Sequence, residues 1–395
     1  MRIVHIAPNA PYNDYWGYQD NILPKYHKKL GHDVTMITTN TMHKDGKIVE
    51  TDCADYVLND GVRVIRLKRK NYFHRTLTAL NSRLCVYEYL KDINPDFVFF
   101  HGLISTTILD VIDYKKRINP NCIIVQDNHL DYYNNASSKK DNKSKIIGVL
   151  SRCFYRNVNR KTIPYVSKVY GVTPWRKDYA EKYFKIPKSK TDVLIMGADD
   201  ESIDFGNKEV IRNTIRSKYQ INADDFLIVT GGKIDQNKKI HLLMRACANI
   251  DKVKLIVFGD VQENFREEFN QIITKSNNII YTGWIASDKV YDYFLSADLV
   301  CFPGTHSVMW EQACACKVPC LFEKWDGMEH VDNGGNSSFV CGVTEDSLNV
   351  KIKELLFTDK YFKMKEIAKS EKTDVYLYSK IAEKSLECVP VNENT

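Results

Sequence analysis

The sequence predicts an α/β protein made of two similar units, each a mostly parallel sheet covered by helices. Three observations carry that expectation. Short apolar runs of strand length recur, and most end at Gly, Pro or a polar loop. Stretches of helical periodicity lie between them, and the whole pattern restarts near residue 226. Length agrees, since 395 residues exceed the roughly 250–300 at which a single core stops growing.

The elements follow in order. Ile3-Val4-His5-Ile6-Ala7 is the first strand and runs into an irregular loop from Pro8 to Gly17. Ile22, Leu23, Tyr26 and Leu30 mark one face of a helix that ends at Gly31-His32. Val34–Thr38, Phe97–Phe100, Ile123–Val125 and Val169–Val172 are the next strands. Runs so continuously apolar belong to strands buried on both faces. In the second half, Phe226–Thr230 leads into Gly231-Gly232, and Val253–Phe258 ends at Gly259-Asp260. Ile279–Tyr281 ends at Thr282-Gly283, Leu299–Phe302 at Pro303-Gly304, and Cys320–Phe322 follows a helix. The polar stretch 197–225 reads as a linker. The expected domains are therefore 1–196 and 197–373, with a C-terminal helix in 374–395 packing back toward the first. Two α/β domains imply a cleft between them, which is a usual ligand site.

Composition excludes several classes. With 44% hydrophobic and 27% charged residues the chain is neither disordered nor, with 18 Gly and 11 Pro, collagen-like. No window approaches the ~20 apolar residues of a membrane-spanning helix. Met1 to Ala7 is too short for the apolar segment of a secretory leader. The eleven cysteines lie mostly in apolar stretches, so reduced core thiols in a cytoplasmic protein are expected. The net charge of +6 is uneven. Residues 139–168 hold nine basic side chains (Lys139, Lys140, Lys143, Lys145, Arg152, Arg156, Arg160, Lys161 and Lys168) against Asp141 alone. Residues 63–75 hold Arg63, Arg66, Lys68, Arg69, Lys70 and Arg75 around Tyr72 and Phe73. Ile146-Ile147-Gly148-Val149-Leu150 and Phe154-Tyr155 offer an apolar face beside this charge. The two clusters read as a contact with an anionic membrane surface or as a solvated face. No nucleic-acid recognition motif accompanies them.

Several familiar sites are missing. No G-x-G-x-x-G follows the first strand, and there is no G-x-x-x-x-G-K-[ST] and no D-x-D. Cys314, Cys316 and Cys320 lack the paired C-x-x-C spacing of zinc sites and read as buried thiols.

Two segments of the second half carry chemistry. Thr230-Gly231-Gly232-Lys233-Ile234-Asp235-Gln236-Asn237-Lys238 follows a strand and precedes an amphipathic helix. Glycines for a tight turn at the strand's end, two lysines and a helix N-terminus suit an anionic group such as a diphosphate. In Pro303-Gly304-Thr305-His306-Ser307, a short loop opens a helix that contains Glu311. The free N–H groups of the helix's first turn could hold a phosphate, and Glu311 could accept hydrogen bonds from vicinal ribose hydroxyls.

At these residues the chain resembles the GT-B glycosyltransferases, specifically the retaining family 4, glycosyl transferases group 1, of the kind that builds bacterial surface polysaccharide. Leu30-Gly31-His32-Asp33-Val34 resembles that family's opening. Gly232-Lys233-Ile234 to Lys238 is similar to its G-R-L-x-x-x-K motif. Phe258-Gly259-Asp260, Thr282-Gly283-Trp284 and Ala297-Asp298 match its strand ends. Glu311-Gln312-Ala313-Cys314-Ala315-Cys316-Lys317-Val318-Pro319 resembles its E-A-M-A-x-G-x-P segment. Three positions depart from the pattern. Pro303 stands where the first Glu of the family's E-x7-E pair belongs, with His306 or Ser307 as its substitute toward the donor sugar; Lys233 replaces an arginine, and Cys316, or Lys317 if the segment is shifted by one, stands where a glycine is usual.

The resemblance implies two Rossmann-like domains around a cleft and a nucleotide-diphosphate sugar as donor, with UDP or GDP as the nucleotide. It implies retention of configuration, with no metal and no separate cofactor. In this scheme Lys233 and Lys238 neutralise the departing diphosphate, Glu311 anchors ribose, and Gly17 and Gly232 bring backbone to phosphate. The stretch Trp325 to Asn336 lines the donor pocket. A glycan or lipid-linked acceptor docks on the first domain, where Asp127 or His129 orients or deprotonates its hydroxyl. Asp127 in an Asx-turn is the plainer reading, and His101-Gly102 is another strand end of the same kind. The expected place is the cytoplasm, peripherally on the inner face of the plasma membrane. Alternatives of the same fold are a nucleotide-sugar epimerase or hydrolase, or an inactive homologue that binds a nucleotide sugar.

Overall fold

The computed structural model describes residues 1–71, 82–132, 142–248 and 250–390. The chain divides into two compact units, 1–195 with 381–395, and 196–380.

The first unit is built on an eight-stranded sheet. Its order is Thr191–Val193, Lys168–Gly171, Ile123–Asn128, Phe97–Phe100, Arg2–Ala7, Asp33–Thr39, Arg63–Leu67 and Ala54–Val57. Only the last pair is antiparallel. Valine, isoleucine and phenylalanine fill both faces, which is why Phe97–Phe100 is buried throughout. Val4, Ile6, Val98, Phe100 and Ile124 form one core with Leu90, Val111, Tyr155 and Tyr179 of the covering helices. Thr41–Lys44 and Lys47–Glu50 form a hairpin apart from this sheet. Its turn, Asp45-Gly46, is left-handed at both residues (φ 50° and 72°), the conformation a two-residue hairpin requires.

The second unit is a six-stranded parallel sheet. Its order is Ile279–Gly283, Val253–Val261, Phe226–Ile234, Leu299–Phe302, Cys320–Glu323 and Ser337–Val340. In both sheets the first strand lies mid-sheet. The chain builds outward on one side, then crosses to the other. Such a switch point leaves an opening at the strands' carboxyl ends. It falls between Arg2–Ala7 and Phe97–Phe100 in one unit, and between Phe226–Ile234 and Leu299–Phe302 in the other.

Three expectations need correction. The strand from Phe226 does not end at Thr230 but continues to Ile234. Gly231 and Gly232 therefore serve close packing inside the sheet rather than a turn at its end. A Cβ on Gly231 would sit 2.5 Å from the Phe258 ring, and one on Gly259 would sit 1.8 Å from the Gly232 carbonyl oxygen. The stretch 197–225 is no bare linker, because it contains the helix Lys208–Lys218. Arg212 and Arg216 of that helix reach Asp298 at 2.8 and 3.3 Å, so tertiary ion pairs hold a helix that its polar sequence conceals. Not all cysteines are core residues, since Cys53, Cys153 and Cys341 are exposed.

Candidate active site

In the second unit, the two strands at the switch point lead into two loops that touch. Asp235 caps a short turn, its Oδ1 accepting from the N–H groups of Asn237 (2.9 Å) and Lys238 (3.1 Å). Lys239 is left-handed (φ 53°) and opens the helix Ile240–Ala248. The turn packs directly on Gly304, where a Cβ would lie 2.3 Å from the Asn237 carbonyl oxygen. Thr305 N–H donates to that same oxygen at 3.1 Å. Lys238 completes the junction, its Nζ donating to the carbonyls of Thr305 (2.7 Å) and His306 (3.2 Å). Burial lowers the Lys238 pKa, and Asp235 offsets part of that effect. Lys233, by contrast, is exposed and stands 3.4 Å from Asp235 Oδ2.

Behind this junction lies a carboxylate held by two imidazoles. Glu311 sits on the helix Met309–Ala315 with no exposed surface. His306 Nε2 and His330 Nε2 each lie 2.8 Å from its Oε1. Burial opposes ionisation of Glu311, but the two imidazoles outweigh it and bring its pKa down to about 2. Glu311 Oε2 and His330 Nδ1 are buried without a hydrogen-bond partner among the described residues. Trp310 stacks on Phe322, centroids 4.4 Å apart, which fixes the helix against the sheet. The Tyr376 hydroxyl donates to the His330 carbonyl at 2.7 Å. Gly232 (φ 103°) faces the same helix, and a Cβ there would lie 3.1 Å from Met309 Sδ.

The first unit holds a cluster of similar composition. Asp127, near the end of Ile123–Asn128, is fully buried. Its Oδ2 lies 2.8 Å from His101 Nδ1 and 3.3 Å from His129 Nε2, and its Oδ1 accepts from Gly102 N–H at 2.8 Å. Burial alone would raise the Asp127 pKa, but the charges and hydrogen bonds of His129 and His101 hold it far below the usual carboxylate range. Asp127 Oδ1 thus caps the Gly102 N–H, on the neighbouring strand's end, rather than closing an Asx-turn of its own. His129 is the accessible member, its side chain 38% exposed against 5% for His101.

The structure brings Gly232, Lys238, His306 and Glu311 together, with Ser307 on the same loop and Lys233 at its edge. It joins Asp127 to His129. Gly17 lies on an exposed loop where a Cβ would meet nothing within 4 Å, so packing does not demand glycine there. Three residues of these clusters escaped the sequence reading. His330 lies in the stretch expected to line a pocket but carried no spacing signal. His5 and His27 connect to His101 through contacts across 96 and 22 residues, and only the oddity of a histidine inside an apolar strand hinted at His5.

Each cluster gathers ligand-type atoms within 4.8 Å of one another. A metal-bound imidazole ordinarily gives its second nitrogen's hydrogen to an acceptor. Among the described residues His330 Nδ1 has none, and His101 engages protein partners through both nitrogens. The 2.8 Å contacts are hydrogen bonds in their own right.

Residues 211–371 match the family Glycosyl transferases group 1. An uncharacterized glycosyltransferase of Methanocaldococcus jannaschii is 22% identical over 217 residues, which are 53% of this chain and 55% of that protein. The chain thus spans about half the length of the curated relative it matches. Among solved structures, a glycosyltransferase from Rickettsia africae aligns with a TM-score of 0.69 at 16% identity, covering 98% of this chain and 97% of that one. HepE of Anabaena in complex with UDP aligns with a TM-score of 0.66 at 15% identity, covering 98% and 99%. At these identities the likeness is one of fold. Residues 211–371 are therefore a Glycosyl transferases group 1 domain, on a chain that folds as a GT-B protein with two Rossmann-like domains.

Proposed function

We propose that this protein is a retaining glycosyltransferase. It moves a sugar from a nucleotide-diphosphate sugar to a glycan or lipid-linked acceptor, in the synthesis of bacterial cell-surface polysaccharide or glycolipid. The observation that carries this reading is the junction of the 235–239 and 303–308 loops at the switch point of the second unit. As the glycosidic bond breaks, negative charge grows on the diphosphate, and fixed positive charge lowers the energy of that state. Lys238 supplies such a charge from a half-buried position and shapes the 305–306 backbone at the same time. Lys233, exposed beside Asp235, supplies a second and mobile one. His306 and His330 contact the nucleotide, and Glu311 anchors ribose through them rather than by exposing its own carboxylate. On the acceptor side, Asp127 holds His129 by its Nε2, and His129 takes the hydroxyl proton. The reaction needs no divalent ion, in keeping with the absence of D-x-D from the sequence. UDP is the first nucleotide to try, because HepE of the same fold is known in complex with UDP.

A thermal-shift panel of UDP, GDP, ADP and CMP tests the donor reading, since a ligand that binds only the folded state raises its stability. UDP or GDP should raise Tm, and no shift with any of the four would remove the nucleotide site. Sugar release that proceeds without any acceptor would point instead to a hydrolase or epimerase.

The helix Asn142–Thr162 supports a membrane contact on the cytoplasmic face. Ile146, Val149, Leu150 and Phe154 are all at least 40% exposed and follow helical spacing, with Arg152, Arg156, Arg160 and Lys161 on the same helix. Lys139, Lys140, Tyr72, Phe73 and Arg75 of the expected basic clusters lie outside the described residues, as do the side chains of Lys143, Lys145 and Ile147. Co-sedimentation should occur with phosphatidylserine vesicles and weaken with salt; equal binding to neutral vesicles would refute the electrostatic contact.

A further inference from the structure

Behind the Asp127 cluster, five hydrogen-bond contacts run in a single row through the first unit. Asp127 Oδ2 lies 2.8 Å from His101 Nδ1. His101 Nε2 lies 3.2 Å from His5 Nδ1, and His5 Nε2 lies 2.9 Å from His27 Nδ1. His27 Nε2 lies 2.7 Å from Ser385 Oγ, and the Ser385 hydroxyl reaches the Ala382 carbonyl at 2.8 Å. His5 belongs to the strand Arg2–Ala7, His27 to the helix Gln19–Lys29, and Ser385 ends the helix Tyr378–Ser385. All five side chains are buried.

Counting hydrogens fixes the state of this row. Each contact needs one hydrogen, and the Ala382 carbonyl supplies none. Three neutral imidazoles and one hydroxyl supply four between them. An ionised Asp127 adds nothing, so a row of neutral rings leaves one of the five contacts unmade, deep in the interior, where an unmade bond is expensive. One further proton completes every contact in a single direction. His101 then donates to both Asp127 and His5, His5 donates to His27, His27 to Ser385, and Ser385 to Ala382. The carboxylate also accepts from Gly102 N–H and lies 3.3 Å from His129 Nε2, so the extra proton rests on the ring and not on Asp127.

We propose that this row stores one proton beyond its neutral side chains, as a His101 imidazolium paired with the Asp127 carboxylate, and that His5, His27 and Ser385 are the positioning residues that keep it there. Electrostatics agree. Burial works against a charged His101, yet Asp127 outweighs it, with a smaller pull from Asp20, and raises the His101 pKa. Burial, with like-charge repulsion from His27 and His101, holds His5 well below its ordinary value. Burial, with His32 and His101 adding to it, brings His27 to about 3, although the Ala382 carbonyl favours a hydrogen on that ring. The two middle rings are therefore neutral conductors of direction, and the charge sits at the end facing the site. The shift in the pH profile of transfer expected below rests on the glycosyltransferase reading, whereas the stored proton does not.

Nitrogen-15 NMR of the full chain labelled at histidine tests it without any activity, with signals assigned by single replacements. At pH 7.5 His101 should show both ring nitrogens protonated, with His5 and His27 neutral and carrying their hydrogens on Nε2. A neutral His101, with the hydrogens of His5 and His27 on Nδ1, would overturn the proposal. His5→Leu removes the acceptor of the second His101 N–H. It should lower the pH at which His101 releases its proton by at least one unit, a tenfold change in acidity. It should also displace the pH profile of transfer while leaving KM for the donor in place. An unchanged His101 titration in a folded His5→Leu protein would refute the positioning role. Absence of transfer in the parent protein would sink only the enzymatic reading and leave the spectra to decide the row.

Discussion

The two histidine–carboxylate clusters occupy corresponding places in their sheets yet are wired differently. In each unit the imidazoles follow the two strands just beyond the switch point: His101 and His129 after Phe97–Phe100 and at the end of Ile123–Asn128, His306 and His330 after Leu299–Phe302 and Cys320–Glu323. Asp127 uses both oxygens and passes its hydrogen bonding on through His101 into a buried row. Glu311 uses one oxygen for two imidazoles and leaves the other without a partner among the described residues. The difference separates two tasks. The first arrangement joins a buried row of imidazoles and keeps one imidazole accessible. The second is a closed brace that fixes the loop carrying His306 and the turn carrying His330.

The comparison can be broken most severely at Glu311. Glu311→Ala removes the shared acceptor of two buried imidazoles. It should lower stability by about 3–5 kcal/mol, read by chemical denaturation, and abolish any nucleotide-induced rise in Tm. Unchanged stability would mean the brace is incidental. Asp127→Asn keeps the shape but removes the charge. It should lower turnover by about 10²–10⁴-fold, and near-normal turnover would detach the first cluster from the chemistry.

Acid separates the clusters further. The Glu311 pKa lies near 2 against an ordinary 4.5, so its contribution of about 3 kcal/mol is present above pH 4.5 and lost as pH falls through 2. His101 works in the opposite sense. Its raised pKa stabilises the fold below the ordinary imidazole value, and that contribution fades as pH rises through the raised value. Denaturation across pH should therefore show an alkaline loss that His101→Asn removes and Glu311→Gln does not. A milder test is Gly304→Ala, which forces a Cβ against Asn237 and Lys238 and should cost about 1–3 kcal/mol. The smallest effect belongs to Lys233→Ala. Its exposed pair with Asp235 should contribute under about 1 kcal/mol, so a loss of nucleotide affinity there would report on ligand binding alone.

Much of the fold was legible because parallel strands buried on both faces must be apolar almost throughout, as Phe97–Phe100 and Leu299–Phe302 are. The His306–Glu311 contact was within reach because five residues separate them across a loop and a helix start. Other features depend on distant partners. Gly231 and Gly232 look like a turn in sequence, and only the neighbouring Phe258 and Gly259 reveal a strand that needs close approach. The helix Lys208–Lys218 reads as a linker until Asp298 supplies its ion partner. The row from Asp127 to Ser385 joins residues up to 358 positions apart, and local periodicity carries no trace of such a contact.

That last separation bears on how the protein is made. The first unit includes residues 381–395, so the unit that is synthesised first draws on a segment made after the whole of the second. Until Ser385 leaves the ribosome, His27 has no hydroxyl to meet and the interior behind Asp127 stays unfinished. Domains ordinarily fold in the order of their synthesis; here the first unit closes only after the second has been made, so a chain stopped short of residue 385 would carry an intact second domain beside an incomplete first.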